Sequence, residues 1–399
     1  MRISKKWIPS IAVPAVIAVG AVALPLQANA VDLPDLSANE VMVLMQQGEV
    51  QSFSGTIVKV SDMGLPALEF SSMVSEDMVA EMEEKMPEEF ADFVPAVIES
   101  NTLTQALELI SGTHKVRIYT SGVDKLRAQI LDPMAQRDLI VNGDEFWIYD
   151  SQMATAVNGT IEMEADPAKQ EEAEKAIADY AASIALDINS PEAIADYLVS
   201  MIGDTSNLSV GTDHSVAGRT AYELILTPNV EESLIEQAKL SIDSETGMPL
   251  KVEVFSTNQV DAAMSVGFES ISFGEVDQSL FDFTPPAGTE VTTFDPSELE
   301  ALLGDYEGDY ESLEKDPSDY PEMNQPEILG SDWLSVVRLA ALPSDIPTDL
   351  MANELFGDMF TEVAGGRVLS TALVNVLITD SGEVYMGAVT IEHLLSVAK

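Results

Sequence analysis

Regular alternation of apolar and polar residues between Ser111 and Ser151 constrains the fold more than any other feature of the sequence. Leu126, Ala128 and Ile130 alternate with charged or amide side chains, and the same period of two recurs in the neighbouring runs. Residues that favour turns separate the runs, at 122–124, 132–133 and 142–144. The stretch therefore predicts four short antiparallel strands in a sheet with one apolar and one polar face.

The first thirty residues have the features of a secretory signal peptide. Three basic residues precede an apolar run over 8–26, and a small-x-small site follows at Ala28-Asn29-Ala30. An uncleaved anchor is the alternative, and the three prolines within and beside the run disfavour it. Because no later apolar run is long enough to span a bilayer, we expect an exported protein that is soluble after cleavage.

Composition excludes several classes of function. The chain has 68 acidic and 19 basic residues, for a formal net charge of −49. Such a surface repels nucleic acid and anionic lipid headgroups, so nucleic acid is not expected as a partner. The absence of cysteine rules out disulfides, thiolate zinc sites and a cysteine nucleophile.

Helix signals and further strand patterns flank the central stretch. Ser37 and Glu40 form a capping box at the start of one predicted helix, and Ser190-Pro191 begins another. Apolar alternation predicts more strands, at 54–60, 222–226, 252–254 and 264–268. Helical propensity is also high over 103–109 and 166–186, whereas the acidic, Met-rich residues 74–99 are interpreted as an inserted loose helix or flap.

The C-terminal part is predicted to form a compact α+β tail. An acidic segment of low apolar content comes first and is typical of a linker. The tail that follows has a strand over 333–339, a helix over 350–363, a hairpin formed by 372–379 and 384–389, and a last helix over 391–398.

No set of residues indicates an enzyme, and no catalytic, metal or cofactor site is predicted. The three histidines (His114, His214 and His393) are dispersed, and Ser241 lies in no nucleophile-elbow sequence. The acidic run 305–309 lacks the ligand spacing of an EF-hand. The methionines of 74–99 suit either a helix-on-sheet contact or a gate for an apolar ligand.

Four segments in order resemble the LolA-type lipoprotein carrier fold, which includes RseB-like sigma-factor regulators. They are LRAQILDPMAQRDLIVNGDEFWIYDS (126–151), AGRTAYELILTP (217–228), IDSETGMPLKVEV (242–254) and FDFTPPAGTEV (281–291). The resemblance spans about residues 37–291, and exported actinobacterial members are the most similar. The Gram-negative carriers have a basic latch residue just before the turn at Gly122, where this chain has Thr120 and Ser121, so that latch is not carried over.

The resemblance implies a strongly curved antiparallel half-barrel of the α+β class, with helices over its concave side and a hydrophobic hollow for acyl chains. Alternation alone does not distinguish such a hollow from a filled core. The residues expected to line the hollow are Val116, Ile118, Leu126, Ala128, Ile130, Leu139, Val141, Tyr222, Leu224, Leu226, Val252, Val254, Met264, Val266 and Phe268.

These observations predict four segments and two alternative functions. The segments are a signal peptide (1–30), a LolA-like half-barrel (31–291), an acidic linker (292–330) and a small α+β extension (331–399). The first function is a non-enzymatic carrier or sensor of the cell envelope that binds a lipid or lipidated protein. The alternative is an RseB-like interaction protein that acts on a membrane partner such as an anti-sigma factor.

Overall fold

The computed structural model of the chain describes residues 33–48, 50–64, 112–132, 135–160, 190–294, 327–340 and 359–399. The predicted signal peptide, the acidic insertion and the helical stretches at 103–109 and 166–186 lie outside the described residues. So do 295–326 of the predicted linker and 341–358 of the tail.

Thirteen strands form one large, mostly antiparallel sheet. Their bounds are β1 Ser52–Ser61, β2 Gly112–Ser121, β3 Lys125–Asp132, β4 Ala135–Asn142, β5 Glu145–Asp150, β6 Thr155–Thr160, β7 Ser206–Val210, β8 His214–Val216, β9 Arg219–Pro228, β10 Ile235–Asp243, β11 Pro249–Ser256, β12 Ala262–Phe273 and β13 Glu290–Phe294. The order is β13-β6-β5-β4-β3-β2-β1-β12-β11-β10-β9-β7, with β8 also paired to β9. The sheet is not closed, and β13 runs parallel to β6.

The four strands predicted between Ser111 and Ser151 are confirmed as β2 to β5. Each is joined to the next by a short connection, and the turn glycines Gly122 and Gly143 have φ of 71° and 64°. A positive φ is cheap only for glycine, so these residues fix the register of the hairpins. The strand predicted over 54–60 is confirmed as β1, which pairs with both β2 and β12 and so joins the two halves of the sheet.

Three α-helices lie within the described residues: α1 Ala38–Gln47, α2 Pro191–Thr205 and α3 Ile391–Val397. The predicted capping box of α1 is present, because the Ser37 side chain accepts from the Glu40 N–H and the Glu40 side chain accepts from the Ser37 N–H. Ser190 caps α2 by accepting from the Ala193 N–H at 3.1 Å. Both predicted helix starts are confirmed.

The C-terminal residues form a second, six-stranded antiparallel sheet. Its strands are β14 Glu327–Leu329, β15 Val336–Leu339, β16 Phe360–Val363, β17 Gly366–Ser370, β18 Asn375–Thr379 and β19 Val384–Gly387, in the order β14-β15-β19-β18-β17-β16. Helix α3 covers this sheet, with Leu394 buried against Val336 and Leu377. The predicted hairpin and last helix of the tail are confirmed.

Two details of the predicted tail are wrong. Residues 360–363, expected to end a helix, form strand β16, because a turn containing Gly365 (φ 89°) returns the chain directly into β17. Trp333, expected to begin a strand, lies in a 3₁₀ turn over Asp332–Leu334, and β15 begins only at Val336.

The small sheet is hydrogen-bonded to loops of the large sheet. Ser233 and Val389 form an isolated antiparallel bridge, and the buried Ser256 hydroxyl donates to the Ala372 carbonyl. The indole N–H of Trp333 donates to the Ser206 hydroxyl at 2.7 Å. The two sheets therefore meet at a junction built from the ends of β7, β10, β11 and β19.

Candidate functional site

All fifteen residues predicted to line a hollow lie on one face of the large sheet, which we call the apolar face. Residues directly opposite on neighbouring strands point to the same side of a sheet. Ile57 lies opposite Val116, and Val116 lies opposite Ile130. The same register relates Ala128 to Leu139. Strands β1 to β4 thus contribute a patch of apolar side chains, which ends at Arg137 of β4, directly opposite Ile130.

The apolar face continues across the second half of the sheet. Val266 of β12 lies opposite Val252 of β11, Val252 lies opposite Leu240 of β10, and Leu240 lies opposite Leu224 of β9. The same strand pairs bring Met264, Val254 and Leu226 onto this face. Period-two alternation in the sequence therefore identified a single surface that extends over eight strands, although only the register shows its extent.

Burial divides these fifteen residues into three groups. Val116, Ile118, Ala128, Tyr222, Leu224, Val266 and Phe268 are buried. Leu126, Ile130, Val141, Leu226, Val252, Val254 and Met264 are partly buried. Leu139 is 37% exposed. More than half of the set thus retains accessible surface.

The centre of the apolar face is filled by the protein's own side chains. Phe53 and Phe268 meet edge to face, with ring centroids 5.9 Å apart, and both belong to a buried cluster with Ile57 and Ile118. Such close-packed contact leaves no space for a guest between these four side chains. Any ligand on this face would have to lie to either side of the cluster.

Helix α1 covers the apolar face at β9 and β10. Its fully buried Val41 contacts Tyr222, Leu224 and Ile242. The Tyr222 hydroxyl donates to the Pro34 carbonyl at 3.1 Å, which holds the segment before the helix on the same strands. Helix α2 supports α1 from outside through a hydrogen bond from Asn39 Nδ2 to Asp196 Oδ1 at 2.6 Å.

The β10–β11 turn of the sheet lies against the end of α1. The Asp243 carboxylate, fully buried, accepts from Arg219 Nε at 2.6 Å and from Arg219 Nη2 at 2.9 Å. It also accepts from the Thr246 N–H and hydroxyl in the β10–β11 turn. Burial raises the pKa of Asp243, but the hydrogen bonds from Arg219 and Thr246 outweigh burial and hold this pKa below its ordinary value. Gly247 of this turn lies directly against the last turn of α1.

The opposite face of β9 to β12 is polar and partly exposed to solvent. Lys239 pairs with Glu223 at 3.2 Å, and Lys251 pairs with Glu253 at 2.7 Å. These partly exposed pairs are the polar half of the alternation. Such ion pairs contribute little to stability. Because this face is polar, it is the apolar face that has to be covered from solvent.

The opposite face of β3 to β5 is covered by residues 275–289, which we call the strap. Arg127 Nη1 donates to the Leu280 carbonyl at 2.9 Å, while Nη2 of the same side chain bonds the buried Asp138 carboxylate at 2.6 Å. Phe283 lies between Trp147 and Tyr149, with both ring centroids at 5.4 Å. The segment FDFTPPAGTEV noted in the sequence thus forms the larger part of this strap and leads into β13.

Lys59 is a charged residue on the apolar face, as are Arg137 of β4 and Asp150 of β5. It lies on β1 directly opposite His114 of β2 and Val266 of β12, and it is only 3% exposed. Burial lowers the pKa of Lys59 below its ordinary value, because desolvation disfavours the ammonium form. Sequence reasoning missed this residue because Val58 and Val60 flank it, and only the register with β2 and β12 shows which face it occupies.

Two polar residues that lie far apart in the sequence are brought together. His214 Nε2 lies 2.9 Å from Ser241 Oγ, and His214 Nδ1 lies 3.2 Å from the Thr212 carbonyl oxygen. Ser241 is only 2% exposed in the middle of β10, so its hydroxyl is inaccessible to a substrate. The contact is structural.

Neither a cluster of metal ligands nor a membrane-spanning helix is present among the residues that the structure describes. Across those ranges no group of three or more His, Asp or Glu side chains is arranged to hold a metal ion. Among the helices of the same ranges, none is both long and apolar enough to cross a membrane. The acidic run 305–309 lies outside the described residues.

Comparison with known proteins gives matches in structure alone. No family model matches the chain, and no curated protein matches its sequence. Similar solved structures include the MucA/MucB complex of Pseudomonas aeruginosa (13% identity, 90% of this chain and 96% of that chain, TM-score 0.39). A conserved protein from Thermus thermophilus has 8% identity, with 64% and 99% coverage and a TM-score of 0.31.

A LolA superfamily protein from Nitrosomonas europaea is also similar, with 8% identity over 62% of this chain and 99% of that chain and a TM-score of 0.22. The solved structures that match thus include a member of the superfamily that the sequence motifs resemble. At such identities and TM-scores the likeness carries no argument about function, which has to be argued from the geometry of the chain itself.

Proposed function

We propose that this chain is an exported, non-enzymatic carrier or sensor of the cell envelope that holds the acyl chains of a lipid or lipidated protein on the apolar face. The observation that carries the proposal is the common face of the fifteen residues, eight of which keep accessible surface. In this proposal the sheet is the half-barrel that the sequence motifs imply, and helix α1 is part of its cover.

The two sides of the filled centre are the proposed binding regions. One contains Ile130, Leu139 and Val141 on β3 and β4, and the other contains Val252 and Val254 on β11. Each Å² of apolar surface that an acyl chain removes from water contributes roughly 25 cal/mol. Contact over about 500 Å² therefore contributes about 12 kcal/mol, which leaves the roughly 8 kcal/mol of micromolar binding after an association cost of about 4 kcal/mol.

Native mass spectrometry of protein purified from its host membrane fraction tests whether lipid is bound. We expect adducts with masses of acylated molecules, and uptake of a fluorescent fatty acid by delipidated protein. A clean apo mass together with no uptake would refute the proposal.

Paired substitutions test whether the apolar face is the site. Leu139→Asp places a carboxylate on the apolar face at a position exposed enough to tolerate it, and should reduce uptake at least tenfold. Leu131→Asp makes the same change on the opposite face of the adjacent strand β3, where its cross-strand neighbours are Lys115 and Gln136, and should leave uptake unchanged. Equal effects of the two variants would show that the site lies elsewhere.

Ala128 is a position at which a ligand site and a filled core give different outcomes. It is buried on the apolar face, directly opposite Ile118 on β2 and Leu139 on β4. If this position borders a ligand, Ala128→Asp should abolish uptake while the far-ultraviolet circular dichroism spectrum is retained. If it lies in a filled core, the unpaired buried carboxylate should unfold the protein.

A second candidate function is regulation of a membrane protein. It is favoured by the small sheet, which lies outside the residues that resemble the carriers and adds a further surface, including the exposed Ile328 at the edge strand β14. Binding of the extracytoplasmic domain of an anti-sigma factor encoded beside this protein, measured by calorimetry, tests this role. Saturable binding that is lost on deletion of 327–399 would support it.

A further inference from the structure

Lys59 is placed where the strand pattern calls for an apolar side chain. It follows Ile57 on the same face of β1, and its neighbours across the sheet are Val266 on one side and His114 on the other. The chain has only 19 basic residues against 68 acidic ones, and Lys59 is one of these few positive charges.

The charge of Lys59 is costly in the fold. A buried ammonium loses its hydration, and burial accordingly lowers the pKa of Lys59. Lys59 does make an interaction within the chain, so its charge is accommodated in the fold. A valine or isoleucine would nevertheless fit the alternating pattern of β1 without this cost, which points to a role other than stability.

We propose that Lys59 binds the anionic group of an amphiphile whose acyl chain lies on the apolar face. This inference rests on the proposed lipid-binding function and adds the chemical class of the ligand, a carboxylate or a phosphate attached to a long acyl chain. The anion joins or displaces the interaction that Lys59 already makes. From there the acyl chain reaches the partly buried Met264, Val252 and Val254 on β12 and β11.

The net charge of the protein opposes the binding of anionic ligands, and a local positive charge offsets this repulsion. A surface with a formal charge of −49 repels anionic amphiphiles in solution. An anion that is out of water and paired with an ammonium gains a charge-assisted hydrogen bond, whose strength is about twice that of a neutral one. Lys59 thus offers an anionic ligand a favourable contact beside the apolar side chains of β11 and β12.

The test compares ligands of equal chain length with and without charge. Oleate, oleoyl lysophosphatidic acid and oleyl alcohol are titrated against the full chain at neutral pH, by displacement of a bound fluorescent acyl probe. The variants are Lys59→Met, which keeps the length of the side chain, and Lys59→Arg, which keeps its charge. Lys115→Met is the matched control, because Lys115 lies on the next strand but on the polar face, where it pairs with Glu269.

We expect wild-type protein to prefer the anionic ligands to oleyl alcohol. Lys59→Met should weaken the binding of the anionic ligands about tenfold to a hundredfold, which is the effect of losing one hydrogen bond between charged groups. Oleyl alcohol should bind all variants alike, and Lys115→Met should behave as wild type. Comparison of oleate with the lysophosphatidic acid shows whether the ligand anion is a carboxylate or a phosphate.

Three results would overturn the inference. Equal affinity of wild-type protein for oleate and oleyl alcohol would do so without any variant, and would leave the proposed lipid-binding function intact. An equal loss of all three ligands in Lys59→Met would show a structural role only. If wild-type protein bound none of the ligands, the proposed function would fail together with the anchor.

Discussion

Replacement of Asp243 by alanine should be among the most destabilising single changes in the large sheet. The carboxylate is fully buried and accepts two hydrogen bonds from Arg219, two from Thr246 and one from the Glu245 N–H. Its removal leaves these donors without their acceptor. Breaking a buried ion pair costs about 3–5 kcal/mol.

The structure places the expected cost at the lower end of this range. Arg219 is 26% exposed and keeps its contact with Glu245 at 2.8 Å, so water and a second carboxylate compensate part of the loss. We therefore expect a loss of about 3 kcal/mol in the free energy of unfolding. For a domain of this size that corresponds to a fall in Tm of roughly 6–12 °C.

Urea unfolding followed by circular dichroism measures this effect. Asp261→Ala, in the exposed β11–β12 turn, is the matched control and should change stability by less than about 0.5 kcal/mol. The reasoning would be refuted if Asp243→Ala lost less than about 1 kcal/mol or matched the control. Asp243→Asn should fall between them, because the amide keeps the shape but not the charge.

The pH dependence of the same variant follows from the lowered pKa of Asp243. A carboxyl group whose pKa is lower in the folded state stabilises the fold above its unfolded pKa of about 3.9 and loses this contribution as the pH falls through the folded value. The difference in stability between wild-type protein and Asp243→Asn should therefore be constant near neutral pH and shrink below about pH 4. A difference that grew on acidification would contradict the assignment.

Three further predictions concern the cover, the junction and the buried lysine. Gly247→Ala should destabilise the fold more than Gly218→Ala. Both glycines have positive φ, but a Cβ at Gly247 would also collide with the Leu44 carbonyl oxygen, whereas a Cβ at Gly218 would meet nothing. Equal melting temperatures of the two variants would contradict this prediction. Trp333→Phe should cost about 1–2 kcal/mol through the lost hydrogen bond at the junction, and limited proteolysis should then release the small sheet faster. Lys59→Met should be at least as stable as wild type at neutral pH. The difference in free energy of unfolding should shrink as the pH rises towards 10.5, where the unfolded lysine also loses its charge. A difference that widened with pH would contradict this prediction.

Local patterns in the sequence were sufficient for most of the elements. The alternation over 111–151 and the turn residues between its runs predicted β2 to β5, and the capping residues Ser37 and Ser190 predicted the starts of α1 and α2. These signals depend on backbone geometry and on nearest neighbours along the chain, so they can be recognised in the sequence without knowledge of the tertiary structure. The same local reading was wrong over 360–363, where the turn at Gly365 produced a hairpin in place of a helix.

The candidate site was partly determined by the sequence. Period two selected fifteen residues that do share one face, because the side-chain period of a strand is fixed by its pleat. Alternation does not report what lies above a face, so it could not show that Phe53 and Phe268 fill the centre or that α1 covers β9 and β10. Nor could it show that Lys59 is buried, since its exposure depends on β2 and β12.

The sequence by itself determined strands β2 to β5, the starts of α1 and α2 and the charge of the chain, because each of these follows from the identities of neighbouring residues. Only the tertiary structure decided which strands are adjacent, that the strap covers the polar side of β3 to β5, and that the small sheet is tied to the large one through Trp333 and Ser256. These are contacts between residues far apart in the chain. They depend on the register and docking of whole elements, which no local pattern specifies.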